Sequence, residues 1–209
     1  GFQITNGGGF SMGDQDDTLI LGQNNLVDNQ IWLGDGQDTL IIGDNSTVVG
    51  QVWTGAGNGD VINIGSGSYV ENINLGATVD LTIGSNVTVN GYIYTGFDDN
   101  VGDKITIGDN STINYYVDLQ TGNDTMTVGD GTVFEGRIYA DEGDDSITMG
   151  DDIELREWIW LYTGNDTLTV GDNATFDDGY WGEIYADAGD DLMTNGHNAS
   201  FGQYAWVEA

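Results

Sequence analysis

The chain has 209 residues, of which 35 are Asp or Glu and only three are Lys or Arg, so its formal net charge is −32. This acidity argues against nucleic acid and anionic membranes as partners, because both attract Lys and Arg, and it favours cations. Cys is absent, which excludes disulfides and thiolate metal sites, and no apolar run is long enough to cross a bilayer.

One unit recurs along the chain: a polar turn that ends in Asp, a short strand with alternating apolar residues, and a Gly. Two well-kept copies are residues 121–130 (TGNDTMTVGD) and 163–172 (TGNDTLTVGD). The glycines that close the strands recur every 19 to 25 residues, at Gly22, Gly43, Gly65, Gly84, Gly108, Gly129, Gly150, Gly171 and Gly196. A period near 21 residues indicates a solenoid.

The repeated unit has the alternation of a β-strand. In residues 167–170, Leu168 and Val170 alternate with threonines, and no segment has helical spacing. Further apolar positions follow the closing Gly and precede the next turn, as at Phe176 and Ile184, so each coil supplies about four inward side chains. We therefore predict an all-β fold, a single parallel β-solenoid of about nine to ten coils. It spans residues 1–209 as one domain, with no clear cap at either end.

Stacking the coils places one Asp of each polar turn in a column. Its members are Asp17, Asp38, Asp60, Asp103, Asp124, Asp145, Asp166 and Asp191. Asp80 is one place out of register, and the predicted ligand set also includes Asp144 and Asp190. Carboxylates one coil apart repel by roughly 3 kcal/mol at an effective dielectric constant of about 20. Because Ca²⁺ binds carboxylate and carbonyl oxygens, the column predicts Ca²⁺ sites; the alternative is that these residues cap exposed turns.

The turn sequences resemble a known family. Residues 34–40 (GDGQDTL) resemble the repeats-in-toxin nonapeptide, and the TGND turns are similar to those of the Ca²⁺-dependent solenoid of a bacterial antifreeze adhesin. The resemblance implies a parallel β-roll in which Asp side chains and turn carbonyls hold Ca²⁺ along one edge. This chain departs from the pattern in its coil length and in its second turn, GDN or GDG.

Outward strand positions are rich in threonine. The residues of an alternative ice-binding face are Thr82, Thr106, Thr125, Thr127, Thr148, Thr167 and Thr169. Regularly spaced methyl and hydroxyl groups suit ice, but Thr is also favoured on the outside of any β-sheet. Val61, Asp80 and Lys104 interrupt the array.

A second outward column is aromatic. Its predicted members are Trp32, Trp53, Tyr94, Tyr139, Trp160, Tyr185 and Trp206, with Asn74 and Asp118 as interruptions. A long exposed aromatic surface is typical of a contact face, for a neighbouring rod or for a polysaccharide. Stacking that only stabilises the solenoid is the alternative.

The ends suggest self-assembly. Residues 205–209 (AWVEA) match residues 184–188 (IYADA), and residues 4–7 (ITNG) match residues 193–196 (MTNG). We expect copies to stack head to tail. The predicted function is that of a secreted or cell-surface structural protein, a filament subunit or a rod segment of an adhesin. Ice binding and polysaccharide binding are the second and third hypotheses. No enzyme is predicted, since the only His is His197, in a turn.

Overall fold

A computed structural model describes the backbone of residues 3–4, 8–57, 59–96, 101–176, 183–201 and 207–208. Side chains are described for residues 8–57, 59–96, 101–176 and 183–200. Regular structure in these residues is entirely β, and none of them forms a helix that could span a membrane.

Each coil contributes three strand positions in a fixed order, which we label the A, B and C rows. The A row holds the strands after the Asp turn. They are β3 (Thr18–Leu21), β6 (Thr39–Ile42), β8 (Asp60–Ile64), β10 (Val79–Ile83), β13 (Lys104–Ile107), β16 (Thr125–Val128), β19 (Ser146–Met149), β22 (Thr167–Val170) and β25 (Leu192–Asn195).

The B and C rows consist mostly of two-residue strands. The B row holds β1 (Gln3–Ile4), β4 (Leu26–Val27), β11 (Thr88–Val89), β14 (Thr112–Ile113), β17 (Val133–Phe134), β20 (Glu154–Leu155), β23 (Thr175–Phe176) and β26 (Ser200–Phe201). The C row holds β2 (Phe10–Ser11), β5 (Ile31–Trp32), β12 (Ile93–Tyr94), β15 (Val117–Asp118), β18 (Ile138–Tyr139), β21 (Ile159–Trp160), β24 (Ile184–Tyr185) and β27 (Val207–Glu208). Two longer strands, β7 (Thr47–Trp53) and β9 (Tyr69–Asn74), run through both rows.

Every strand pairs in parallel with the same position of the next coil, so the predicted solenoid with its period near 21 residues is confirmed. The A strands form one sheet of nine strands, and β7 and β9 join the B and C rows into one sheet of 18. Nine A strands enclose about eight turns, fewer than the nine to ten predicted. The difference arises because a turn is complete only when the chain returns to the next A strand.

The core is a single apolar column between the two sheets. The A strands from β6 to β22 bury at least two alternate apolar residues each, such as Leu168 and Val170. Phe176 and Ile184 fill the B and C positions, and all four residues have at most 4% of their surface exposed. Full burial of such a side chain contributes about 1.5–3 kcal/mol. Because coils above and below provide that burial, the stability of each coil depends on its neighbours.

Two kinds of turn close each coil. Between the A and B rows, asparagines such as Asn110 (φ 54°) and Asn173 (φ 59°) adopt the left-handed conformation. Apart from Gly, Asn is among the residue types that tolerate this conformation best. Between the C and A rows, the turn contains a glycine such as Gly143 (φ 146°). A Cβ there would lie 1.5 Å from the carbonyl oxygen of Gly122 in the coil below. This turn delivers the Asp residues to the start of each A strand.

Candidate metal centre

The predicted aspartate column lies inside the solenoid. Six members are at most 3% exposed, and we call the column the inner ladder; these six are Asp38, Asp60, Asp103, Asp124, Asp145 and Asp166. Asp17 and Asp191, at its two ends, are half-buried. The ladder lies at one end of the A row, where each residue is two positions before the first inward apolar side chain, so alternation turns it toward the core.

Each inner-ladder carboxylate is bound to the backbone of the preceding coil. The Asp124 N–H donates to Asp145 Oδ1 at 2.8 Å, and the Asp145 N–H donates to Asp166 Oδ1 at 2.8 Å. The same bond, at 2.6 to 2.9 Å, joins the pairs 17–38, 38–60, 103–124 and 166–191. One carboxylate oxygen of each residue is thereby satisfied by the backbone, and the coils are tied together in one direction.

The ladder is interrupted once. Val79 pairs with Asp60 in the strand register, and its N–H donates to Asp103 Oδ1 at 2.6 Å. Asp80 is aligned instead with the outward residues Val61 and Lys104, and its carboxylate lies 3.3 Å from Lys104 Nζ. The structure therefore places Asp80 on the outer surface, one residue away from the ladder.

In five ladder residues the second carboxylate oxygen lacks a hydrogen-bond donor. The Oδ2 atoms of Asp38, Asp60, Asp145, Asp166 and Asp191 are buried without a hydrogen-bond partner. An isolated buried carboxylate costs several kcal/mol unless a cation or a proton neutralises it. The inner ladder therefore requires a compensating positive charge.

No basic side chain supplies that charge. Lys104 pairs with Asp80, Arg137 pairs with Glu157 at 2.6 Å, and Arg156 pairs with Glu135 at 2.7 Å and with Glu154. These pairs lie on the outer surface and account for all three Lys and Arg residues of the chain. Compensation must come from protons or from an added cation.

Without a metal ion, burial raises the pKa of several ladder carboxyls. Burial raises the pKa of Asp145 to about 8, opposed by the Asp124 N–H and reinforced by repulsion from neighbouring carboxylates. Burial likewise raises the pKa values of Asp60 and Asp166 to about 6 and moves that of Asp38 upward. At neutral pH the metal-free ladder therefore contains a protonated Asp145 carboxyl, while the carboxylates of Asp60 and Asp166 are largely ionised and are repelled by neighbouring carboxylates.

Asp144 and Asp190, which the sequence analysis added to the ligand set, lie outside the ladder. Both are exposed, and Asp144 Oδ1 accepts the N–H of Asn165 from the following coil at 2.8 Å. The Asp190 N–H in turn donates to Asn165 Oδ1 at 3.1 Å. The two carboxylates therefore belong to an outer column of the same turn, where water can solvate them.

The inner ladder fits a hard cation in its chemistry. Among the described residues no three His, Cys, Asp or Glu side chains converge as a ready-made metal cluster. A cation would therefore bind between carboxylates of successive coils and complete its shell with carbonyl oxygens of the Gly turn. Ca²⁺ accepts such oxygen-only, irregular ligand sets, whereas Mg²⁺ demands near-octahedral geometry. Asp145 and Asp166, with their buried Oδ2 atoms, are suitable ligands.

The threonine array is present but narrow. Thr82, Thr106, Thr127, Thr148, Thr169 and Thr194 pair in register in six successive A strands. The neighbouring outward column holds Thr125, Ser146 and Thr167 in three of those coils. It holds Lys104 and the exposed Leu192 on either side of them. A two-column hydroxyl array is therefore three coils long.

The described members of the aromatic column lie on the outward side of the C row. Trp32 and Trp53 stack with centroids 5.5 Å apart and planes 13° apart, and they are 40% and 43% exposed. Tyr94, Tyr139, Trp160 and Tyr185 are half-buried. Trp160 lies 5.3 Å from Tyr139 and 5.6 Å from Tyr185 between ring centroids. Trp206 lies outside the described residues, and the register pairs Tyr185 with Glu208.

The sequence analysis missed a pair of acids beside this column. Gln120 Nε2 donates to Asp118 Oδ1 at 2.6 Å and to Asp141 Oδ2 at 3.5 Å. Burial raises the pKa values of both carboxyls, that of Asp141 to about 6, with repulsion from Asp118 as a second cause. Gln120 and Asp141 adopt positive φ angles of 66° and 67°, a conformation that their residue types do not predict.

Comparison of the chain with models of protein families, with curated proteins and with solved structures finds no match.

Proposed function

We propose that this protein is a Ca²⁺-stabilised structural solenoid, a rod held together along one internal edge by cations. The supporting observation is the set of buried Oδ2 atoms of the inner ladder, which no hydrogen-bond donor and no basic side chain neutralises. Two ladder carboxylates and the turn carbonyls would hold each ion. The ion would supply the positive charge that allows them to stay ionised in the interior.

The rod would act outside the cell, as a filament subunit or as a segment of a surface adhesin. Ca²⁺ modules of extracellular proteins have dissociation constants of roughly 0.1–1 mM. We expect sites built from shared carboxylate and carbonyl oxygens to bind Ca²⁺ in the same range. In-register parallel coils can also be continued by any further coil, from the same polypeptide or from another copy, because the backbone of each coil pairs only with its neighbours. We propose no catalytic role.

The test is a comparison of unfolding in excess Ca²⁺, excess Mg²⁺ and chelator at pH 7.5, followed by circular dichroism. Ca²⁺ at one hundred times its dissociation constant should stabilise the fold by about 2.7 kcal/mol per site. Mg²⁺ should give a much smaller gain because of its stricter geometry. Identical melting curves in Ca²⁺ and in chelator would refute stabilisation of the fold by Ca²⁺. Electron micrographs in Ca²⁺ test assembly, and dispersed monomers at high concentration would contradict the filament.

Ice binding is a second candidate, favoured by the six in-register threonines of the A sheet. Thermal hysteresis of the parent should then be reduced strongly by Thr148→Tyr at the centre of the array. Thr175→Tyr, on the outward side of the B row, is the matched control and should leave it unchanged. A parent protein without hysteresis rejects this candidate.

A further inference from the structure

The aromatic column contains a groove at its first interruption. Trp53, Asn74 and Tyr94 occupy the same C-row position in three successive coils. Where Asn74 replaces an aromatic ring, a groove of about 540 Å³ opens between Trp53 and Tyr94. This volume lies within the range of about 300–1,000 Å³ that is usual for ligand sites.

The width of the groove suits a single six-membered ring. Trp53 and Tyr94 are two coils apart, which corresponds to about 9.6 Å along the axis. A ligand in van der Waals contact with an aromatic face on each side needs about 7–8 Å. Trp32 stacks behind Trp53 and holds its ring plane. The groove can therefore hold one saturated six-membered ring, whose chair presents C–H groups on both faces, between two aromatic walls.

The neighbouring turn positions leave the groove open in this half of the chain only. Two residues after the aromatic position, the first four coils have glycines, Gly34, Gly55, Gly76 and Gly96. The later coils have Gln120, Asp141, Tyr162 and Asp187 at that position. The second interruption, at Asp118, is accordingly occupied by the Gln120 amide, whereas Asn74 is flanked by Gly76 and Ala77.

Polar groups of the groove define the chemistry of the ligand. The Asn74 side-chain amide lines the groove and offers both a donor and an acceptor. Asp35 lies at the rim, where its Oδ1 accepts the Ala56 N–H at 3.0 Å, and its carboxylate can accept from hydroxyls. No Lys or Arg lines the groove, so an acidic ligand would be repelled.

We propose that this groove binds a neutral hexopyranose unit of a polysaccharide. The apolar C–H faces of the sugar ring would lie against Trp53 and Tyr94, and its hydroxyls would bond to Asn74 and Asp35. This site is distinct from the proposed Ca²⁺ sites, because the groove lies on the outer surface of the C row and its turn, whereas the ladder carboxylates are buried at the start of each A strand. The site would give a structural rod an attachment point on a neutral glycan.

The experiment titrates the folded protein, in Ca²⁺-containing buffer, with laminarin, dextran and mannan and with polygalacturonate as the acidic control. Tryptophan fluorescence and calorimetry follow binding. At least one neutral polysaccharide should bind saturably, and polygalacturonate should not. Trp53→Ala should weaken binding about tenfold or more, as expected for a central aromatic contact. Tyr185→Ala, in the same column but outside the groove, should stay within about twofold of the parent.

Asn74→Trp separates binding from folding. The new ring extends the Trp32–Trp53 stack and fills the groove, so binding should be lost while the melting temperature is kept or raised. Sugar binding by Asn74→Trp equal to the parent's, or the failure of all three neutral polysaccharides to bind the parent, overturns the proposal. Sedimentation of the parent provides a further test. If the parent self-associates and Asn74→Trp abolishes this association, the sugar proposal is also overturned, because the groove then binds a second copy of the chain.

Discussion

Replacing Asp145 by asparagine tests whether the inner ladder carries protons or Ca²⁺. The substitution keeps the shape and the Oδ1 atom that accepts the Asp124 N–H at 2.8 Å, while it removes the charge. In the metal-free fold, the pKa of Asp145 is raised by burial to about 8. In the unfolded chain it is near its ordinary value of about 3.9. The two states therefore differ in bound protons throughout the intervening pH range.

The sign of the effect follows from that difference. Below pH 4 both states are protonated, and Asp145 costs nothing. As the pH rises toward 8, the unfolded state releases its proton first, so the metal-free fold progressively loses stability. At pH 6 the loss from this one group is about 2–3 kcal/mol, at 1.36 kcal/mol per pKa unit. In chelator, Asp145→Asn should therefore stabilise the fold by about that amount at pH 6 and leave it unchanged below pH 4.

With Ca²⁺ the sign reverses. An ion needs the ionised carboxylate, so Ca²⁺-bound stability should rise with pH, and Asp145→Asn should then destabilise by on the order of 1–3 kcal/mol at pH 7.5. The assay is urea unfolding at pH 4, 6 and 7.5 in chelator and in Ca²⁺. Asp151→Asn is the control, because it removes the same charge from an exposed carboxylate that also accepts one backbone N–H, from Asp172 at 2.7 Å. Equal stabilisation by Asp145→Asn in both buffers would refute Ca²⁺ binding at this carboxylate.

Three further predictions concern the scaffold, all measured by urea unfolding in Ca²⁺. Ile138→Ala should destabilise by about 2–5 kcal/mol because it leaves a cavity in the fully buried C row, whereas Ile20→Ala, at a site 65% exposed, should change stability by less than about 0.5 kcal/mol. Asn110→Val should cost about 1–2 kcal/mol because of its φ of 54°, and Asn110→Gly should be nearly neutral; equal costs would contradict the conformational explanation. Gly143→Ala should cost about 2–4 kcal/mol, since its Cβ would meet the Gly122 carbonyl oxygen; wild-type stability would show that the turn can relax.

Much of the fold could be predicted from the sequence because stacking repeats the same local rule in each coil. Alternation at Leu168 and Val170 and the closing Gly171 fix strand length, direction and inward face, and the period then fixes the register. The alignment predicted near the C-terminal end was wrong by two residues. Alternation could not prevent this error, because Ala205 and Val207 are two residues apart and would face the same side of a strand. The sequence match aligned Ala205 with Ile184, but Val207 is the residue that pairs there.

Of the predicted ligand residues, eight lie together in the inner ladder, whereas Asp144 and Asp190 lie in an exposed outer column. Asp in a Gly-rich turn is usually solvated, which made a capping role the natural alternative. The sequence signal for burial is the spacing of two residues between Asp166 and Leu168. In a strand, side chains two residues apart lie on the same face, so Asp166 points toward the core with Leu168. The pair of Asp118 and Asp141 could not be predicted, because it depends on left-handed φ angles at Gln120 and Asp141, and Gln rarely adopts that conformation.

The need for a cation depends on burial rather than on the number of negative charges. The outer carboxylates of Asp130 and Asp151 also stand one coil apart, and each accepts one N–H, from Asp151 and Asp172 in the following coil. Their second oxygens reach water, so the same repulsion is screened and no ion is required. For Asp145 and Asp166 the second oxygen faces the core, where neither water nor a basic side chain reaches it. Of the 35 acidic residues, we therefore expect those of the inner ladder to be the ones at which a bound cation would change the stability of the fold.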